Sequence, residues 1–361
     1  MSGGGPESRV VCGSFPRVML ASATALQDKE HMPDTQARIA AIIPNFNGKE
    51  MLGRCLVSLR AQVPAPTEIV VVDNGSSDGS CDMVRADFPD VKLIALDTNT
   101  GFAAANNMAA GNTDCEFLLL VNNDCVAQPG WLAALLEAMG DDVGAVTSSM
   151  RNVKDTSLLD SAGGVIDDMG FSWDRGLGQP AANFTAREEV LFPCGGATLL
   201  RRSALEEPST IFWDRLFMYL EDVDLGIRLW SRGWRVLFEP SAVTLHEHSA
   251  TGSRYPVMKE TACVRNRLLV LRRHLPSRKL SRLMPLLVLW QVFWACSALL
   301  RLRLVVFRAV VAGTFQGLLG GPVDKYPRPM ADKLIQRFST SRAKSFPKLQ
   351  MARKARSMLA D

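Results

Sequence analysis

The run Phe117-Leu118-Leu119-Leu120-Val121-Asn122-Asn123-Asp124-Cys125-Val126 changes character half-way along. Its five leading apolar residues predict a strand buried on both faces, as in a parallel sheet. Asn122, Asn123 and Asp124 then end the run. Open α/β sheets bind ligands at the carboxyl ends of their strands. One carboxylate with neighbouring amide oxygens suits Mg²⁺ or Mn²⁺. Asn and Asp are also ordinary turn residues, so this stretch alone leaves both readings open.

The same pattern recurs on either side. A strand is expected over 38–44, a turn at Asn45-Phe46-Asn47-Gly48, and a helix over 50–62 with Leu52, Leu56 and Leu59 on one face. A second strand over 68–72 runs into Asp73-Asn74-Gly75. Further helices are expected over 80–88, 101–110, 129–139 and 220–230, and strands over 91–96, 143–148, 190–200, 235–239 and 242–246. The Gly- and Asp-rich segment 152–189 has no period and is expected to be an insertion over the site. This alternation predicts an α/β fold, a Rossmann-like, mostly parallel sheet flanked by helices. Parallel strands bring their ends to one rim. Asn45, Asn47, Asp73, Asn74, Asn122 and Asp124 are therefore expected together there, at a nucleotide site. Neither G-x-x-x-x-G-K nor G-x-G-x-x-G occurs, so a P-loop and a dinucleotide fingerprint are unsupported.

At 361 residues and 47% hydrophobic content the chain can bury a large core. Its net charge of +4 is unevenly placed. Residues 251–361 hold 22 Lys and Arg against 4 Asp and Glu, while the first 250 hold 19 against 33. The acidic front suits metal-assisted chemistry, and the basic rear suits an anionic surface. The 8 cysteines form no C-x-x-C pair, which fits a reducing compartment. Four regions are expected: a disordered lead over 1–37, an α/β domain over 38–255, basic and apolar helices over 256–321, and a basic, poorly patterned tail over 322–361. Residues 283–300 carry no charge, with Trp290 and Trp294 among them and arginines on both flanks. They read as membrane-interface helices or as core or homodimer helices. Nucleic acid is not an expected partner, since no reading helix, zinc site or aromatic platform motif is visible.

The acidic run Glu221-Asp222-Val223-Asp224 opens a predicted helix. It reads as acids favoured by the helix dipole or as a site for a general base. Asp224 and Arg228, four apart, are expected to pair as structure. Gly195-Gly196 reads as a tight turn or as an opening beside the rim. Trp213, Phe217 and Tyr219 read as core packing or as aromatic stacking surfaces.

Taken in order, the motifs Pro44-Asn45-Phe46-Asn47-Gly48, Val71-Val72-Asp73-Asn74-Gly75-Ser76-Ser77-Asp78-Gly79, Asn99 to Asn107, Val121 to Asp124, Gly195-Gly196-Ala197, Tyr219 to Leu225 with Arg228, His246 and Arg265-Asn266 resemble those of inverting family 2 glycosyltransferases. The resemblance spans roughly 38–271 and is strongest to the bacterial rhamnosyltransferase-like branch. It implies a GT-A fold with a C-terminal helical extension. It further implies that Asp73 contacts the nucleotide base, that Pro44, Asn45, Asn47 and Asn74 line the same region, and that Gly101 and Asn106 lie beside the ribose and diphosphate. Asn122-Asn123-Asp124 takes the place of the family's D-x-D metal motif, with Asn122 replacing the first Asp. Asp124 and His246 would hold Mg²⁺ or Mn²⁺, and Asp222 would be the catalytic base. Glu221 beside it is expected to raise the Asp222 pKa by like-charge repulsion. Gly195, Gly196, Trp213 and Glu221 would meet the acceptor. The implied donor is dTDP-rhamnose or a UDP-hexose. The basic apolar rear suggests a lipid-linked saccharide acceptor and a peripheral place on the cytoplasmic face of the plasma membrane. A metal-dependent nucleotidyltransferase and a non-catalytic glycan-binding scaffold are the competing classes.

Overall fold

The computed structural model describes residues 37–167, 169–247 and 256–326, with Leu334, Arg337 and Phe338. The expected disordered lead, apart from Ala37, and most of the tail lie outside the described residues.

The elements run β1 (Ile39–Asn45), α1 (Lys49–Arg60), β2 (Glu68–Asp73), α2 (Ser80–Asp87), β3 (Lys92–Ala95), α3 (Phe102–Gly111), β4 (Phe117–Val121), β5 (Cys125–Ala127) and α4 (Trp131–Glu137). They continue β6 (Val143–Asn152), β7 (Leu159–Ser161), β8 (Gly164–Ile166), β9 (Ser172–Asp174), β10 (Glu188–Glu189), β11 (Ala197–Arg201), α5 (Glu221–Ser231) and β12 (Arg235–His246). Three helices end the series: α6 (Pro256–His274), α7 (Ser277–Leu300) and α8 (Leu304–Leu319).

The main sheet has the order β10-β12-β6-β11-β4-β1-β2-β3, with β5 pairing β12 and β7 pairing β6. Pairs β1–β2, β1–β4, β2–β3 and β6–β12 are parallel. β11 is inserted antiparallel between β4 and β6. The sheet is therefore mixed, with two parallel blocks joined by one reversed strand.

Period-two alternation assigns each strand residue to one of two cores. Ala40, Ile42, Val70, Val72, Leu118 and Leu120 pack with α3, whereas Ile39, Ala41, Ile43, Ile69, Val71 and Leu119 pack with α1. On α1 the buried residues are Leu52, Cys55, Leu56 and Leu59, one stripe at helical spacing. On α3 the small residues Ala103, Ala105, Ala109 and Ala110 are buried, so its backbone lies close to the sheet.

Three expected strands differ. The strand predicted over 190–200 is confined to Ala197–Arg201. Apolar residues 190–192 are buried, but Leu191 N bonds Gly164 O outside the ladder, and Gly195 and Gly196 line a cleft. The strands predicted over 235–239 and 242–246 are one strand, β12, with a register shift between Glu239 and Val243. A bulge absorbs the polar interruption that reads as a loop.

Helices α6 and α8 pack closely. A Cβ on Gly313 would come within 2.6 Å of Thr261 O, and one on Gly317 within 2.8 Å of Leu268 Cδ1. Glycine spaced by four thus permits backbone approach. Among the described residues α7 is the one helix long and apolar enough to cross a membrane, by length and composition.

Candidate active site

A cleft of about 760 Å³ opens along the rim formed by the carboxyl ends of β1 and β4 and the start of α5. The register pairs Asn45 with Asp73 and aligns β1 with β4, so the three strand ends share one edge. Pro44, Asn45, Asn74, Gly101, Asn122, Asn123, Asp124, Gly195, Gly196, Glu221, Asp222 and His246 all line it.

Four predicted site residues do not line the cleft. Asp73 is 1% exposed. One of its oxygens accepts Asn45 Nδ2 at 2.8 Å, and the other accepts Ser76 N at 2.8 Å. Asn123 Nδ2 completes this chain by donating to Asn45 Oδ1 at 2.7 Å. Asp73 therefore braces Asn45 from behind. Asn47 is occupied by the neighbouring turn, its backbone N–H donating to Ser76 Oγ and its Oδ1 accepting from Ser77 N. Asn106 is fully buried in α3 and donates to Phe102 O at 2.8 Å. Trp213 lines a separate cavity of about 210 Å³ with Arg215 and Arg273, and the Arg273 guanidinium lies 4.4 Å from its ring centroid.

The metal candidates converge. Asp124 and His246 stand at the end of β4 and the end of β12, with His246 Nε2 3.5 Å from Asp124 Oδ1. On its other side His246 Nδ1 meets Asp160 Oδ2 at 3.1 Å. Burial lowers the His246 pKa, but Asp160, Asp124 and Asp174 outweigh it and the net shift is upward. A carboxylate on Nδ1 fixes the tautomer that leaves Nε2 facing Asp124, an arrangement common at imidazole metal ligands. Cys125 is the third potential ligand within reach. Its Sγ is turned to Gly196 O at 3.4 Å, and a soft sulfur ligand suits Mg²⁺ or Mn²⁺ poorly. The donors that fit a hard divalent ion are thus Asp124 and His246.

The acidic turn also lines the cleft, with Glu221 and Asp222. Asp222 is half-buried, and its Oδ1 accepts Val223 N at 2.8 Å. Burial first, then the charges of Glu221 and Asp174, push the Asp222 carboxyl well above the usual range. Glu221 is raised too, by burial. The expected like-charge effect of Glu221 is present, but burial is the larger cause. Asp224, two residues on, has the opposite fate. It is fully buried, yet Arg228 Nε at 2.8 Å, His274 Nε2 at 2.7 Å and Arg273 Nη1 at 3.0 Å hold it well below the carboxylate range despite the burial.

Asp160, Ser172, Trp173 and Asp174 line the cleft from the 152–189 segment, and Lys259 from α6. None was singled out by the sequence. The insertion was expected over the site, but an aperiodic stretch gives no means of choosing among its several acids. Lys259 sits within a basic helix where one cation resembles the next.

The profile of Glycosyl transferase family 2 matches residues 40–207, and that of Glycosyl transferase family group 2 matches 169–319. A Mycobacterium tuberculosis N-acetylglucosaminyl-diphospho-decaprenol L-rhamnosyltransferase is 32% identical over 234 residues, 57% of this chain and 74% of the relative. The chain belongs to glycosyl transferase family 2. The M. tuberculosis pre-mycofactocin glycosyltransferase is 26% identical over 242 residues, 66% of this chain and 48% of that relative. Among solved structures, GalNAc-T7 with UDP, GalNAc and Mn²⁺ superposes with a TM-score of 0.54 at 16% identity, covering 68% of this chain and 49% of that one. A mannosyltransferase from Pyrobaculum calidifontis, in complex with GDP-Man and Mn²⁺, gives 0.50 at 17% identity, covering 80% and 89%. The architecture of this family 2 glycosyltransferase is GT-A, and glycosyl transfer prevails over the nucleotidyltransferase and scaffold readings.

Proposed function

We propose that this glycosyltransferase moves a sugar, with inversion, from a nucleoside diphosphate donor to a lipid-linked saccharide at the cytoplasmic face of a membrane. One observation supports the reading above others: a metal-competent pair, Asp124 and His246, and a carboxylate of raised pKa, Asp222, line the same cleft. Asp222 accepts the acceptor hydroxyl proton as that oxygen attacks the anomeric carbon from the face opposite the diphosphate. A base must be ionised to act, and a pKa brought towards the working pH gives it more driving force for proton transfer. Mg²⁺ or Mn²⁺ bound by Asp124 and His246 would neutralise charge developing on the departing diphosphate. Asn45, whose amide is taken up by Asp73 and Asn123, holds Asn123 beside the nucleotide, and Gly101 lines the same side of the cleft. Asn122 in place of an acidic residue leaves one fewer negative charge near the diphosphate, and its buried Oδ1 has no hydrogen-bond partner among the described residues.

The similarity to a rhamnosyltransferase named for a diphospho-decaprenol acceptor supports dTDP-rhamnose, with a UDP-hexose as the other donor. The acceptor reading also draws on the exposed apolar face of α7 and the basic rear of the chain. A panel of dTDP- and UDP-sugars, each with Mg²⁺ or Mn²⁺, tests the proposal by thermal shift and product analysis. A metal-dependent rise in melting temperature with one donor, and a glycosylated product of inverted configuration, is the expected result. No shift with any nucleotide, or a product of retained configuration, contradicts it.

A further inference from the structure

The turn leading into α5 is held in an uncommon conformation. Phe217, Tyr219 and Leu220 all have positive φ, at 61°, 68° and 66°. Bulky side chains rarely adopt this region, and each such residue costs about 1–2 kcal/mol unless its surroundings enforce it. The turn is not idle surface. Residues 217–220 line the cleft, and the next two are Glu221 and Asp222. The Phe217 ring lies against Gly101, where a Cβ would come within 2.4 Å, and Phe217 O accepts Ala103 N at the start of α3. One short segment thus adjoins both the donor side and the carboxylate pair.

What enforces it comes from outside the α/β sheet. Asn266, in the middle of α6, is fully buried. Its Nδ2 lies 2.8 Å from Leu216 O, 2.9 Å from Met218 O and 2.7 Å from Tyr219 O. An amide nitrogen has two hydrogens, so these three carbonyls share them. Arg265 Nε donates to Asn266 Oδ1 at 2.8 Å, which orients the amide, and Arg265 Nη2 donates to Leu216 O at 2.8 Å. No other side chain of this size offers paired N–H donors on so short a stem together with an acceptor for Arg265.

We propose that Asn266, oriented by Arg265, is a positioning residue for the transfer reaction. It gathers the carbonyls of Leu216, Met218 and Tyr219, holds the turn in its positive-φ form, and thereby sets Phe217 against Gly101 and Asp222 in the cleft. The C-terminal helices are then part of the catalytic unit rather than an attachment to it. This rests on the reading of Asp222 as the base.

The experiment uses full-length Asn266→Ala and Asn266→Asp, with Asp222→Asn in parallel. Asn266→Asp keeps the size and replaces the donors with a carboxylate, so it covers the case in which the Ala variant fails to fold. Three quantities are read: deuterium exchange over 216–222 and over β1 and β4, affinity for dTDP with Mn²⁺ by calorimetry, and turnover of dTDP-rhamnose. Exchange over 216–222 should rise about tenfold, with β1 and β4 unchanged. Turnover should fall about 100-fold while dTDP affinity stays within about threefold. Exchange and turnover both close to wild type in either folded variant would overturn the proposal. So would an equal loosening of β1 and β4, which marks a general structural role. Wild-type turnover in Asp222→Asn would instead remove the base reading, while the exchange measurement still decides whether Asn266 holds the turn.

Discussion

Asp222 is pressed towards its protonated form by burial, by Glu221 and by Asp174 acting in the same direction. In the proposed role of base Asp222 must be ionised, so activity should disappear as pH falls through a pKa lying above the usual carboxylate range. The acidic limb of a kcat/KM profile reads this directly. Glu221→Gln removes one like charge and should move that limb to lower pH; an unmoved limb would mean that Glu221 does not tune the base. The second prediction concerns Asp160. Replacing it by Asn weakens the orienting bond to His246 Nδ1, and Mn²⁺ affinity should drop about 10–100-fold by calorimetry. Unchanged affinity would show that His246 needs no such partner. Asp124 and Asp222 were legible in the sequence because each sits in a motif at a predictable element end. Asp160 and Asp174 were not, because contact with His246 and Asp222 is made by folding back a segment with no period. Asp73 was legible as a rim residue, but not the fact that Asn45 and Ser76 use both of its oxygens.

Three acids share the first turn of α5, and the packing around the helix divides them. Glu221 and Asp222 face the cleft, while Asp224 faces Arg273 and His274 of α6. Asp224 ties α5 to α6 within the protein interior. Removing one partner of such a network leaves the other charges uncompensated. Asp224→Asn should therefore lower stability by about 3–5 kcal/mol, read by denaturant unfolding. Its folded-state pKa is depressed, so its contribution is present above the unfolded carboxylate value of about 3.9 and is lost as pH falls below it. A loss under about 1 kcal/mol would mean that the network contributes no more than a weak exposed pair does. The Arg228 partner was legible from i,i+4 spacing. Arg273 and His274 were not, because nothing in a sequence shows which helix packs on which. The helices themselves were legible throughout, since apolar periodicity and Gly or Pro boundaries mark them. The strands were less so: β11 is shorter than its apolar run, and β12 continues through an interruption.

At the scale of the molecule, the front and rear of the chain differ in charge and in what they expose. Leu286, Leu289, Phe293 and Leu300 form an exposed stripe on α7, with Leu289 and Phe293 each 65% exposed. Arg278, Lys279, Arg282, Arg301 and Arg303 flank it. An apolar face with cationic edges suits an anionic bilayer surface. The doubly substituted Leu289→Glu, Phe293→Glu chain should lose flotation with phosphatidylglycerol vesicles while keeping nucleotide binding; undiminished flotation would assign the stripe to another partner. The asymmetry of charge was legible from composition, whereas the side of α7 left uncovered depends on how α6 and α8 pack. The central claim is that one cleft joins nucleotide and metal binding at Asp124 to proton removal at Asp222. It is tested most directly by measuring dTDP–Mn²⁺ affinity and sugar transfer together in Asp124→Ala and Asp222→Asn. Asp124→Ala should lose both, and Asp222→Asn should bind as wild type yet lose about 10³-fold in turnover. Retained turnover in Asp222→Asn, or unimpaired Mn²⁺-dependent binding in Asp124→Ala, would contradict it.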